Sequence, residues 1–90
     1  MKKESMKEFE EREKFLADLE YRLITDFIKV RKNEHLSQQK MADASNTIRE
    51  MIAKIENQIV SPQVNTLIKI LEPFGYTIGI VKIEDREEIN

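Results

Sequence analysis

Between Leu36 and Glu56 the chain sets two short helical segments end to end with only a few residues for the turn between them, and no other stretch constrains the fold as tightly. Ser37 can accept a backbone hydrogen bond at the head of the first segment, Gln38 to Ala44, and Asn46 suits a left-handed turn residue at its foot. The second segment begins near Ile48 and continues to about Asn57. Two helices on so short a tether must cross closely. A small residue is needed where they touch, and Ala42 supplies it.

The flanking sequence is also largely helical in pattern. Glycine and proline total four residues and 36% of the chain is charged, so its apolar positions stand out at helical spacing. Phe9, Leu16, Leu23 and Val30 recur every seven residues, with Leu19, Ile24, Phe27 and Ile28 on the same side. Residues 6–32 are therefore amphipathic, and the stripe packs either into the core or against a partner protein. Asp18 can divide the stretch, as N-cap of a helix from Leu19 to Lys32 behind a leading helix from Glu4 to Leu16. After the loop Gln58 to Pro62, Val64, Leu67, Ile68 and Leu71 form the buried face of a fifth helix. Pro73 cannot donate to the carbonyl of Lys69, which loosens the last turn, and Gly75 supplies a left-handed cap.

From Tyr76 to Ile83 the chain is rich in β-branched and aromatic residues and reads as a single strand. A lone strand leaves its donors and acceptors unpaired. The expected partner is the same strand of a second copy, with Tyr76, Ile78, Gly79, Ile80 and Val81 at a two-fold interface and Gly79 permitting close approach. The tail Glu84 to Asn90 is charged and expected to fray. The expected fold is thus mainly α: one domain of five helices and a C-terminal strand that pairs across a homodimer. Residues 1–17 form its helical extension, 18–75 its core, 76–83 the strand and 84–90 the tail.

Ninety residues hold one domain with a modest core. Without cysteine there is no disulfide framework or thiolate metal site, and the single His35, read as a solvated loop residue, cannot build a metal or catalytic cluster alone. The serines have no base partner for nucleophilic catalysis, so no enzyme, metal or cofactor is expected. No apolar run approaches the roughly 20 residues that span a bilayer, and the start MKKESMKEFEEREK lacks the apolar stretch of a signal peptide. A cytoplasmic protein without a membrane partner is expected. The net charge of −2 is unevenly placed: residues 1–28 carry net −2, residues 29–69 net +3 and residues 70–90 net −3. Only the local field on a docking face steers a polyanion, so the acidic total does not veto nucleic-acid binding.

The run LSQQKMADASNTIREMIAKIE, from Leu36 to Glu56 and followed by Pro62 and Leu67, resembles without a gap the Cro/phage-repressor (XRE) helix-turn-helix family. Met41, Ile52 and Ile55 match the positions that close the pocket beneath the turn. Asn46 stands where the family usually has glycine, a departure asparagine tolerates. The resemblance implies that the second helix lies in the major groove of a double-stranded operator while the first rests on the backbone. Arg49, Glu50, Ala53 and Lys54 then sit at the leading and outward positions of the reading helix. Arg49 is suited to a bidentate contact with guanine, and Glu50 either accepts from cytosine or orients Arg49. Gln38 matches the family's phosphate-contacting position, with Thr47 and Asn57 as weaker phosphate candidates or solvated polar residues. Arg31 and Glu56 fall where the family often sets a salt bridge, the alternative being two independent surface charges.

The extension before the motif and the ending after it look like the HigA-type antitoxins of type II toxin-antitoxin systems, and more distantly HipB. That resemblance implies a bacterial or phage-encoded, nucleoid-associated autorepressor that binds its operator as a homodimer. It also implies neutralisation of a small basic toxin, an mRNA endonuclease of the HigB/RelE-like kind, to which the acidic residues 1–28 are suited. The alternatives are a stand-alone phage-type or cellular repressor without a toxin, and a protein-interaction module that keeps the motif for structure alone.

Overall fold

A computed structural model describes residues 5–83. Its first element, α1 (Met6–Asn33), starts at a reciprocal cap: the Ser5 hydroxyl accepts from the Glu8 amide at 3.1 Å, and the Glu8 carboxylate accepts from the Ser5 amide at 3.0 Å. Hydrogen bonding to the carboxylate from Ser5, its backbone amide first and its side chain second, holds the exposed Glu8 carboxyl below its ordinary range. Three short helices follow, α2 (Gln38–Ala44), α3 (Arg49–Glu56) and α4 (Val64–Leu71), the last running into a 3-10 turn at Glu72–Phe74.

The division at Asp18 does not occur. α1 is one uninterrupted helix of 28 residues, with Ser5 rather than Asp18 as its cap, so the described residues contain four α-helices and not five. Nothing between Leu16 and Leu19 breaks the backbone ladder, and a continuing helix satisfies amide groups that a break would leave without partners. The boundary drawn between residues 17 and 18 therefore falls inside this helix.

The C-terminal strand is also absent. No strand exists among the described residues; Tyr76 to Lys82 runs without regular structure. A strand depends on a neighbouring ladder, and this chain offers the segment none. It is anchored by side chains instead: Ile78 packs against the core, and the Tyr76 hydroxyl donates to Glu34 Oε2 at 3.0 Å. That bond pushes the Tyr76 phenol above its ordinary value. Gly79 has open space around it, and Ile80 is fully exposed. The expected fraying of 84–90 and the start of the leading helix at Glu4 lie outside the described residues.

The core is small and gathers around α2 and α3. Met41, Ala42, Ile52, Ile55 and Ile70 are fully buried, flanked by Ile24 and Phe27 of α1 and by Leu67 and Leu71 of α4. Only the C-terminal half of α1 reaches this core, since no residue from Met6 to Leu23 is buried.

One device ends α1, α2, α3 and the 3-10 turn that follows α4. His35, Asn46, Gln58 and Gly75 each adopt a left-handed backbone, with φ of 57°, 57°, 56° and 84°. The following amide then reaches back to an open carbonyl: Leu36 to Arg31 at 3.0 Å, Thr47 to Ala42 at 2.8 Å, Ile59 to Lys54 at 2.9 Å and Tyr76 to Leu71 at 3.2 Å. Three of the four residues are not glycine and carry steric strain there. Gln58→Gly should therefore raise stability by about 1 kcal/mol. Gly75→Ala should lower it by about as much, because a methyl group there meets strain but no clash. Urea unfolding of the two variants checks both signs.

Candidate nucleic-acid interface

Ser37 caps α2 through its hydroxyl, which accepts from the Lys40 amide at 3.1 Å. The helix ends in a tight turn whose Ser45 is buried, its hydroxyl donating to the Met41 carbonyl at 2.7 Å. Asn46 then swings the chain into α3. Ala42 has no exposed surface, so α2 and α3 cross at a point where a longer side chain would meet other core atoms.

A second constraint fixes the far end of α3. Arg31 Nε donates to Glu56 Oε2 at 2.6 Å and Arg31 Nη2 to Glu56 Oε1 at 3.0 Å, a fork-to-fork pair joining the end of α1 to the end of α3. Arg31 Nη1 also donates to the Leu36 carbonyl at 2.9 Å, and Gln38 Nε2 donates to Glu56 Oε1 at 3.0 Å. Hydrogen bonding to Glu56 raises the Arg31 guanidinium above its ordinary value, against the opposing effect of burial. The Gln38 amide is thus engaged with Glu56, and the residue is half-buried at the head of α2.

With both ends fixed, α3 presents a defined outer face. Arg49, Glu50 and Lys54 are exposed, and their side chains form no hydrogen bond or ion pair among the described residues. Glu50 and Arg49 are therefore not bonded to each other. Ala53 is half-buried between the outer face and the core, Thr47 is half-buried in the turn, and Asn57 is exposed at the far end. No side chain caps α3. The positive end of its dipole and its open first amides point outward beside Arg49, a disposition that favours an anion.

Sequence reasoning missed one residue of this face. Ile48 occupies the N-cap of α3 and is 63% exposed, an apolar side chain where polar caps are preferred. That mismatch with capping preference was the available signal. Beside Arg49, its methyl groups can do what apolar groups do at a base edge, namely contact a thymine methyl.

The chain matches the helix-turn-helix family over residues 28–81. It is 36% identical over 75 residues to an uncharacterised HTH-type transcriptional regulator of Haemophilus influenzae, covering 83% of this chain and 76% of that protein. Its structure resembles a toxin-antitoxin module from Streptococcus pneumoniae with a TM-score of 0.61 and 28% identity, over 80% of this chain and 79% of that one. No helix among the described residues is long and apolar enough to cross a membrane.

Because Glu56 is nearly buried, Arg31→Met should leave a carboxylate with only Gln38 as partner and lower stability by roughly 3 kcal/mol. Thermal unfolding measures the loss, and a variant within a few tenths of wild type would show the pair to be dispensable.

Proposed function

The chain belongs to the XRE-type helix-turn-helix family of DNA-binding transcriptional regulators, and on that premise we propose that it is the antitoxin of a toxin-antitoxin pair, repressing its own operon and neutralising a HigB/RelE-like mRNA endonuclease. The observation that carries the DNA-binding half is the outer face of α3. Arg49, Glu50 and Lys54 stand there without partners among the described residues, beside an uncapped helix terminus. In this reading α3 enters the major groove, Arg49 takes guanine O6 and N7, and Glu50 accepts from a cytosine amino group. Ile48 packs on a thymine methyl, and Ala53 and Lys54 extend the contact along the groove. Gln38, Thr47 and Asn57 lie toward the phosphates; Gln38 keeps a second amide hydrogen for that role beyond the one given to Glu56. The protein acts in the cytoplasm as a homodimer, placing two copies of α3 on a palindromic operator.

Two observations support the toxin half. The likeness to a toxin-antitoxin module extends over four-fifths of the chain. Residues 1–28 carry net −2 and would attract a basic toxin. The relative from Haemophilus influenzae, described only as a transcriptional regulator, favours a second reading: a repressor with no toxin.

Arg49→Ala should cost on the order of 1 to 3 kcal/mol on the DNA upstream of its own gene and leave residual, salt-sensitive binding that no longer distinguishes sequences. Fluorescence anisotropy against that DNA and a scrambled duplex reads both effects. Equal weakening on the two duplexes would move Arg49 to the phosphate-contacting group. The toxin half is tested by co-expression with the product of the adjacent gene. Growth arrest relieved by this chain is expected, and unrelieved arrest, or no arrest at all, leaves the stand-alone repressor.

A further inference from the structure

We propose that α1 is a pairing surface for a second copy of this chain, the two helices lying antiparallel about a two-fold axis at Leu16, with Phe9 of each copy at the mouth of an apolar groove in the other. The inference rests on the reading of the chain as a dimeric operator binder and names the surface that makes the dimer.

The first observation is an uncovered seam. Phe9, Leu16 and Leu23 are 49%, 47% and 38% exposed and stand seven residues apart. Seven-residue spacing keeps apolar groups facing a second helix along a left-handed supercoil. No residue of α1 from Met6 to Leu23 is buried.

Continuity is the second. The seam runs into a groove of about 440 Å³ between α1, α4 and the chain after Gly75, walled by Leu19, Leu23, Phe27, Leu67, Leu71 and Ile78. Leu23 belongs to both seam and groove, so the two form one apolar face.

Charge then chooses the occupant. Residues 6–18 carry three basic and five acidic side chains, whereas residues 19–33 carry four basic and two acidic. Antiparallel pairing lays the acidic half of each copy against the basic half of the other; parallel pairing would set like against like. With the axis at Leu16, Phe9 lies level with Leu23 of the second copy, about 10 Å along the helix. Glu10 lies level with Arg22 of that copy, and Arg12 with its Glu20. A uniformly basic partner would match the acidic half but not residues 19–33, which carry net +2 even though Asp26 lines the groove.

The natural absence of cysteine makes the test clean. Wild-type chain should sediment as a dimer at micromolar concentration, and Leu16→Glu should sediment as a monomer with an unchanged far-ultraviolet helix signal, since Leu16 is not part of the core. On mild oxidation Leu16→Cys should form a covalent dimer and Tyr21→Cys, on another face of α1, should not. A wild-type monomer overturns the proposal, as does a dimer that survives Leu16→Glu or that Tyr21→Cys links as readily as Leu16→Cys. So does a monomer whose α1 gains protection from amide exchange only when the adjacent gene's product is added. Dissociation by Leu16→Glu, alongside a wild-type chain that fails to bind its upstream DNA, would support the pairing and sink the operator reading instead.

Discussion

The ion pair between Arg31 and Glu56 is the point on which the arrangement of helices turns. It joins side chains 25 positions apart, takes in the Leu36 carbonyl of the connecting loop, and is completed by Gln38 at the head of α2. One small cluster thus touches α1, the loop, α2 and α3. A buried pair of this kind adds little net stability compared with an apolar replacement, but any packing that separates the partners leaves a charge stranded in the interior. Its effect is to select one angle for α3. The side chains of Arg49, Glu50 and Lys54 are displayed together because α3 is held at both ends, by this cluster and by the contact at Ala42.

Sharp helix endings make that compactness possible. Each of the four helical segments stops on a left-handed residue and reuses its open carbonyls within the next two positions, so little chain is spent on connections. At His35, Asn46 and Gln58 the strain of a side chain in that conformation is offset by the hydrogen bonds it allows and by the packing behind it. Leu36 and Val60, just beyond two of these endings, both rest against the core.

α1 stands apart from this economy. At 28 residues it is far longer than its neighbours, and it gives its C-terminal half to the core and the rest to the surface. Its periodicity is continuous across both halves, so the pattern that buries Ile24 and Phe27 also leaves Phe9 and Leu16 facing water. A pattern that persists beyond the core it serves has the form of a surface made for another chain, and the proposed DNA-reading face lies on different elements. Reading and pairing can therefore be divided between α3 and α1.

The amino-acid sequence by itself determined the local events. Ser37 as a cap, Ala42 as the contact between two crossing helices, Asn46 as a left-handed turn and Pro73 with Gly75 as a stop are all set by one residue's own stereochemistry, and each was legible. Tertiary structure decided the rest. Asp18 is as good a cap by composition as Ser5, and only the unbroken ladder around it makes it an interior helical residue. Tyr76 to Ile83 has the composition of a strand, yet strand formation depends on a neighbouring ladder that composition cannot supply, and the segment is held by Ile78 and the Tyr76 hydroxyl instead. His35 and Gln58 carry no sign in sequence that they would turn left-handed, because the force that puts them there is the packing of the helices they end. Ile48 signals itself in sequence only as an apolar residue at a cap position, and its exposure beside Arg49 was decided by the placement of α3. Between Leu36 and Glu56 short-range preferences and the final packing agree, which is why that stretch could be read first; elsewhere distant contacts set the outcome.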